Sequence, residues 1–382
     1  MRIAVLGADS DSLALVEAAV ELGHEITWLG DVRAVDADAI QSIVPDADVR
    51  EDWEALLDRG FIDAVIVGRG SAELDQRLEQ LKRLAAEAAP MVVVFPLGTE
   101  ILPYYELDML RREHRTPLVH YHPLRFAPFV GELNHIVRDG HAALGTIHQI
   151  QSDRRLADTS RDAVLTWLAR DMDLVRQIVG DIAKLSAMGP NVGGTQYAAL
   201  QVQMSGPAET AVHWRVAPTA AAGGLQVTLV GERGQLALDV PDASERVVTW
   251  TLTVVAGSSP AASSTESADA AAAAVQELEQ GVQSADGGGS WDAAMQAMEM
   301  VDAVELSLQK GRTIEVHHQV LTEHVAFKGM MSAFGCGLLV FGFLLLLAVG
   351  ALGDLLGFTM FKYWPVVALV LLAFFLLLQV VP

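Results

Sequence analysis

The chain has 382 residues, 51% of them hydrophobic, with a formal net charge of −22 and a single cysteine, Cys336. That length allows two or three domains with ample cores. The acidity, with no basic stripe to neutralise phosphates, argues against a nucleic-acid partner, and one cysteine excludes an intramolecular disulfide framework and fits a reducing compartment.

The N-terminus, Met1-Arg2-Ile3-Ala4-Val5-Leu6-Gly7, carries one charge and a short apolar run followed by Asp9 and Asp11. It does not have the pattern of a secretory signal peptide, so the polar part of the chain is expected in the cytoplasm. Ile3–Leu6, Glu25–Leu29, Ile62–Val67, Met91–Phe95 and Leu118–His122 are short runs rich in Val, Ile and Leu. Such runs suit strands buried on both faces of a parallel sheet. Helical patterns lie between them, the clearest placing Leu74, Leu78, Leu81 and Leu84 on one face, with Glu73, Arg77 and Lys82 elsewhere. Alternating strands and helices imply a doubly wound α/β sheet with right-handed crossovers.

The pattern changes after about residue 145. Leu200, Val202 and Met204 alternate with Gln201 and Gln203; Val212, Trp214 and Val216 alternate with His213 and Arg215; Val248, Trp250, Leu252 and Val254 alternate with threonines. Period two means a sheet with one face on a core and one face wet, usually antiparallel, so the second domain is expected to be α+β. Residues 256–274 are Ala/Ser-rich and read as a flexible insertion, and Gly287-Gly288-Gly289 as a second break. A helix carrying Ala294, Met298, Val301, Val304 and Leu308 on one face follows, ended by Gly311 before a strand at Thr313–Val316.

Met330–Leu352 has no charged residue and Val366–Val381 is a second uncharged stretch, with Asp354, Lys362, Tyr363 and Trp364 between them. A bilayer needs ~20 apolar residues, so these read as a two-span transmembrane hairpin in contact with lipid, with aromatics at the headgroup level. Lys328 and Lys362 flank the first span on opposite sides and leave orientation open. The missing signal peptide then places both ends in the cytoplasm. The expected organisation is a Rossmann-like domain at 1–122, an α+β domain at 123–318, a connector at 319–329 and the membrane hairpin at 330–382. The sheet of the second domain is the expected surface for a homo-oligomer.

The first strand-to-helix turn, Gly7-Ala8-Asp9-Ser10-Asp11-Ser12, stands where a dinucleotide fingerprint G-x-G-x-x-G is found. Gly7 makes the tight turn, Ala8 follows it, Ser12 is small enough for helix and strand to approach, and Asp31 stands where an acid bonds the ribose. Asp9 replaces the glycine beside the pyrophosphate, and its charge is expected to weaken NAD or NADP binding unless it turns away.

Further along, Leu124-Arg125-Phe126-Ala127-Pro128, Asp139-Gly140, Leu144-Gly145-Thr146-Ile147, Gly231-Glu232-Arg233-Gly234 and Trp291–Val316 resemble, in order, motifs of the glucose–fructose oxidoreductase and inositol dehydrogenase (Gfo/Idh/MocA) family. The resemblance covers roughly residues 1–316. It implies NAD(P)-dependent oxidation or reduction of a sugar, cyclitol or similar polyol in a cleft between two domains. It also implies a catalytic lysine, aspartate and histidine, and at those positions this chain has Phe95, Thr166 and Arg170, with only the downstream Asp173 persisting. Phenylalanine cannot exchange a proton and arginine cannot act as a base. His120 and His122, sharing one face of a strand at the ligand-binding edge of the sheet, are the candidates for a replacement base; the alternative is hydrogen-bonded histidines at a domain junction. Arg125 and Arg170 either hold an anionic group or pair with Asp171 and Asp173. No metal is expected. Two readings stay open: an oxidoreductase with a rebuilt base, and a catalytically silent relative that binds a metabolite or partner.

Overall fold

The computed structural model describes residues 1–316, apart from residues 33, 51, 59, 61, 71, 191–193, 208–209, 222, 242–245, 257–261 and 285–288. The first half runs β1 (Arg2–Leu6), α1 (Ser10–Glu21), β2 (Glu25–Gly30), α2 (Ala34–Ile43), β3 (Asp48–Arg50), β4 (Ala64–Val67), α3 (Leu74–Ala86), β5 (Met91–Val94), α4 (Leu102–His114) and β6 (Leu118–Tyr121). The six strands form one parallel sheet in the order β3-β2-β1-β4-β5-β6. This is the doubly wound arrangement whose order reverses between β1 and β4, and such sheets take ligands at that point, beyond the C-terminal strand ends.

Side-chain alternation along the strands divides two cores. Ile3, Val5, Ile66, Val92, Val94, Val119 and Tyr121 pack with α1 and α2, whereas Ala4, Leu6, Val65, Val67, Met91, Val93 and Leu118 pack with α3 and α4. Both faces are covered, which is why these strands carry continuous apolar runs. Only β3, three exposed residues at the edge, lacked such a run and had no counterpart in the sequence reading.

After a 3-10 turn at Pro123–Phe126 the chain continues through α5 (Phe129–Asp139), β7 (Ile147–Leu156), α6 (Arg161–Val179), β8 (Lys184–Met188), β9 (Gln201–Ser205), β10 (Ala211–Pro218), β11 (Gly224–Gly231), β12 (Gly234–Pro241), β13 (Val247–Ala256), β14 (Ala262–Asp269), α7 (Ala270–Gln283), α8 (Trp291–Lys310) and β15 (Ile314–Glu315). The nine strands order as β14-β13-β12-β11-β7-β10-β9-β8-β15, antiparallel except for β7 beside β10. Val202, Trp214, Leu229, Leu238 and Trp250 face α5, α6 and α8 in the core; Gln151, Gln203 and Arg215 face outward. The Rossmann-like and α+β architecture read from the periodicity is therefore present.

Two expectations need correction. The Ala/Ser-rich stretch is not a flexible insertion where it is described: β14 pairs along β13 for eight residues, and Ala271, Ala274, Val275 and Leu278 of α7 are buried in the first domain's core against α1. Small side chains there serve a close helix–helix contact rather than a linker. The two-span membrane assignment is also withdrawn. Among the described residues no helix is long and apolar enough to cross a membrane. The connector and both proposed spans lie outside the described residues, and an uncharged run satisfies a length rule without establishing a helix. The lipid contact and the cell-membrane localisation that rested on it go with it.

Candidate functional site

The fingerprint turn is built as a cradle. Gly7 has φ +75, and a Cβ there would meet the Gly68 carbonyl oxygen at 2.8 Å and the Arg77 guanidinium at 2.4 Å. Ala8 and Ser12 are buried, and a Cβ on Gly68 would lie 2.8 Å from Ser12 Oγ, so the close approach of β4 and α1 uses both small residues. Asp9 does not turn away from the helix. It is the N-cap of α1: Ser12 N–H donates to Oδ1 at 2.9 Å and Arg69 N–H donates to Oδ2 at 3.1 Å. Ser12 Oγ in turn accepts from Asp9 N–H at 2.7 Å, completing a capping box. The loop thus already holds an anion on the backbone donors that a helix N-terminus offers to phosphate.

Asp31, at the end of β2 with φ 50, pairs with Arg77, which is 1% exposed and also donates to Gln80 Oε1 at 2.8 Å. The sequence pattern placed Arg77 on the polar side of α3; burial beneath the fingerprint turn is the observed position. A charged residue is kept there because the pair satisfies both charges out of water.

The second half of the site lies at the ends of β5 and β6. Strand alternation sends His120 to the same face as Leu118, toward α8 and α6, and His122 Nε2 and His120 Nε2 both approach Asp173 Oδ2, at 2.9 and 3.2 Å. Arg125 Nη1 donates to both carboxylate oxygens at 3.0 Å and Gln177 Nε2 to Oδ2 at 3.0 Å. Both histidines and Asp173 are 0% exposed. The Phe95 ring packs on them, 5.1 Å from His120 and 6.0 Å from His122 between centroids. Burial lowers both histidines, His122 to about 4, so each is neutral near pH 7; Asp173 partly opposes this. Burial alone would raise Asp173, but the histidine hydrogen bonds and the Arg125 charge hold it well below the carboxylate range.

Arg170 does not meet Asp171 or Asp173. It reaches from α6 into the fingerprint turn, pairing with Asp11 at 2.5 Å and donating to the Phe95 carbonyl at 2.8 Å. Asp171 is instead taken by Arg154 and by Trp214 Nε1 at 2.8 Å, inside the second domain. Arg125 does pair with Asp173. Thr166 is half-buried on α6, one turn before Arg170. His120, His122, Arg125 and Asp173, separated by up to 53 positions in the chain, therefore form one cluster, and Phe95 and Arg170 stand between it and the fingerprint turn. Sequence reasoning missed Asp11, Arg69, Arg77 and Gln177. Asp11 and Arg69 had a usable signal, since Asp11 lies in the first turn of α1 just beyond β1 and Arg69 in the loop beyond β4.

His120, His122 and Asp173 offer ligand atoms within 4.8 Å of one another, a set able to hold a metal ion. Two features oppose that role. The carboxylate's charge is already met by Arg125. Neither histidine Nδ1 has a hydrogen-bond partner among the described residues, whereas a ligating imidazole ordinarily donates its other N–H.

No family model and no curated protein sequence matches the chain. Solved structures do. A myo-inositol dehydrogenase from Corynebacterium glutamicum matches with a TM-score of 0.64 at 18% identity, over 83% of this chain and 99% of its own. An oxidoreductase from Agrobacterium radiobacter in complex with NAD+, L-tartaric acid and magnesium matches with a TM-score of 0.64 at 15% identity, over 83% and 98%. A 3-ketoreductase from Actinomadura kijaniata in complex with TDP-benzene and NADP matches with a TM-score of 0.64 at 16% identity, over 80% and 97%. At these identities the match establishes the fold: a Rossmann-like parallel sheet joined to a mixed-sheet domain, as in these oxidoreductases. They are spanned almost completely, so the remainder of this chain has no counterpart in them, which also gives the membrane hairpin no support.

Proposed function

We propose that the chain is an NAD(P)-dependent oxidoreductase of a sugar, cyclitol or similar polyol in which a histidine–aspartate pair replaces the lysine that the family resemblance implies. The observation that carries this reading is the convergence of His120, His122, Arg125 and Asp173 beside Phe95, at the ligand-binding edge of a dinucleotide-type sheet. The fingerprint turn fits a dinucleotide. The Asp9 carboxylate stands in for a phosphate oxygen on Ser12 N–H and Arg69 N–H, and Asp31, now held by Arg77, is the acid that would take a ribose hydroxyl. Bound there, a nicotinamide would supply the hydride acceptor or donor.

The chain's own residues would handle the proton. A carboxylate only accepts, so His122 donates Nε2–H to Asp173 and keeps Nδ1 as the lone pair. Neutral imidazole is the form that takes a hydroxyl proton, Asp173 stabilises the imidazolium that results, and Arg125 keeps Asp173 ionised. His122 is fully buried, so substrate reaches it only when Phe95 or Arg170 shifts. Because burial is the leading cause of its low pKa, uncovering it also restores its basicity. The test is nicotinamide absorbance over a panel of sugars, cyclitols and their acids. Turnover lost in His122→Ala supports the reading.

A second reading is favoured by a specific observation: Asp9, Asp31 and Asp11 are each already satisfied, by the α1 N-terminus with Arg69 N–H, by Arg77 and by Arg170. On that reading the Rossmann-like and α+β domains bind a metabolite or partner without hydride transfer, and no substrate in the panel turns over. The polar outer face of the nine-stranded sheet, where Gln151, Gln203, His213 and Arg215 border a ≈ 260 Å³ hollow, is proposed as the homo-oligomer contact. Sedimentation of Gln203→Arg against the parent tests it.

A further inference from the structure

A depression of ≈ 480 Å³ is bordered by the 3-10 turn, α5 and α6, and Arg125, Phe126, Pro128, Gly131, Asn134 and Gln177 line it. None of the fingerprint residues takes part. Its polar groups are unevenly satisfied. Asn134 spends its amide N–H groups on the Gln177 and Ile178 carbonyls at 2.9 and 3.1 Å, and Gln177 gives one of its own to Asp173. Each side-chain oxygen is therefore left as an acceptor, with no partner among the described residues. Arg125 gives Nη1 to Asp173, while its Nε–H is buried, with no acceptor among the described residues.

A ligand here meets two acceptors, the second N–H of Gln177 and an apolar wall formed by Phe126 and Pro128. The Arg125 charge is already cancelled by Asp173 at 3.0 Å, so the site has no net pull on an anion. Hydroxyl groups both donate and accept, and the C–H face of a ring suits the apolar wall. We propose that this groove is a binding site for a neutral, polyhydroxylated small molecule, separate from the dinucleotide cleft. Arg125 and Gln177 are also the residues that hold Asp173, so occupancy of the groove is felt at His122. The proposal does not rest on hydride transfer.

Gly131 supplies the test. It lies in α5 with nothing within 4 Å of the position a Cβ would take. Gly131→Leu therefore fills the groove without a clash, and leucine suits a helix interior better than glycine, so the variant folds. Ligand-observed NMR titration of the full chain with myo-inositol and with glucose, in the absence of nucleotide, should show saturable binding of at least one. Gly131→Leu and Asn134→Leu should each weaken it about tenfold or more, with an unchanged or higher melting temperature for Gly131→Leu. Glucuronate should bind no tighter than glucose. Absence of saturable binding by the parent, equal binding by Gly131→Leu, or a clear preference for glucuronate would overturn the assignment. Failure of turnover alone would bear only on the oxidoreductase reading.

Discussion

Replacing Asp9 by glycine isolates the contact on which dinucleotide affinity turns. In the parent the carboxylate holds Ser12 N–H at 2.9 Å and Arg69 N–H at 3.1 Å, the donors a pyrophosphate would use. Binding must first give up the cap, which is worth about 1 kcal/mol. If the carboxylate then stays ~4 Å from a phosphate, each like-charge pair adds about 1 kcal/mol in water and about 4 at an effective dielectric of 20. Glycine restores the open cradle and, as an N-cap, costs only a few tenths of a kcal/mol. Asp9→Gly should therefore bind NAD+ or NADP+ at least about tenfold tighter, ~1.4 kcal/mol, in a calorimetric titration. The gain should shrink at high salt, because the charges are partly exposed. Equal affinities, with the parent already micromolar, would refute the reasoning by showing that Asp9 leaves the turn at no cost.

Asp173→Asn leaves Arg125 without its buried counter-charge and should lower unfolding stability by about 3–5 kcal/mol, read by denaturant titration. For His122, whose folded pKa is about 4 against 6.5 unfolded, the unfolded chain takes the proton first. Its contribution is thus present above about pH 6.5 and lost as pH falls toward 4, about 2 kcal/mol between pH 7 and pH 5, and His122→Asn should flatten that slope. His120 is shifted in the same direction and leaves a residual slope. Ala274→Leu should destabilise the fold by about 1–3 kcal/mol through overpacking of α7, whereas a flexible insertion would tolerate it; thermal unfolding decides.

The parallel sheet was legible because burial on both faces leaves an unmistakable mark: Val65-Ile66-Val67 and Val92-Val93-Val94 could hardly be anything else. The second sheet showed through its alternation of glutamine with Val202 and Met204, and of threonine with Trp250 and Leu252. What stayed hidden was pairing at long range. Arg170 meets Asp11 across 159 positions, and nothing local distinguishes Asp11 from Asp173 as its partner. Arg77 looked like a solvated helix residue because its partner Asp31 lies 46 positions away. The alanines of α7 read as low complexity because small residues at a close helix contact resemble those of a linker. His120, His122, Arg125 and Asp173 were nameable singly, by strand-edge position and helix spacing; that they share one carboxylate is a property of the fold.

The most direct test of the account is the absorbance of reduced nicotinamide when the full chain, saturated with NAD+ or NADP+, is offered polyols one at a time, with His122→Ala run alongside. The account predicts cofactor reduction with at least one sugar, cyclitol or polyol acid, lost in His122→Ala while dinucleotide binding persists. Reduction that survives in His122→Ala, or none with any polyol at saturating dinucleotide, would contradict it.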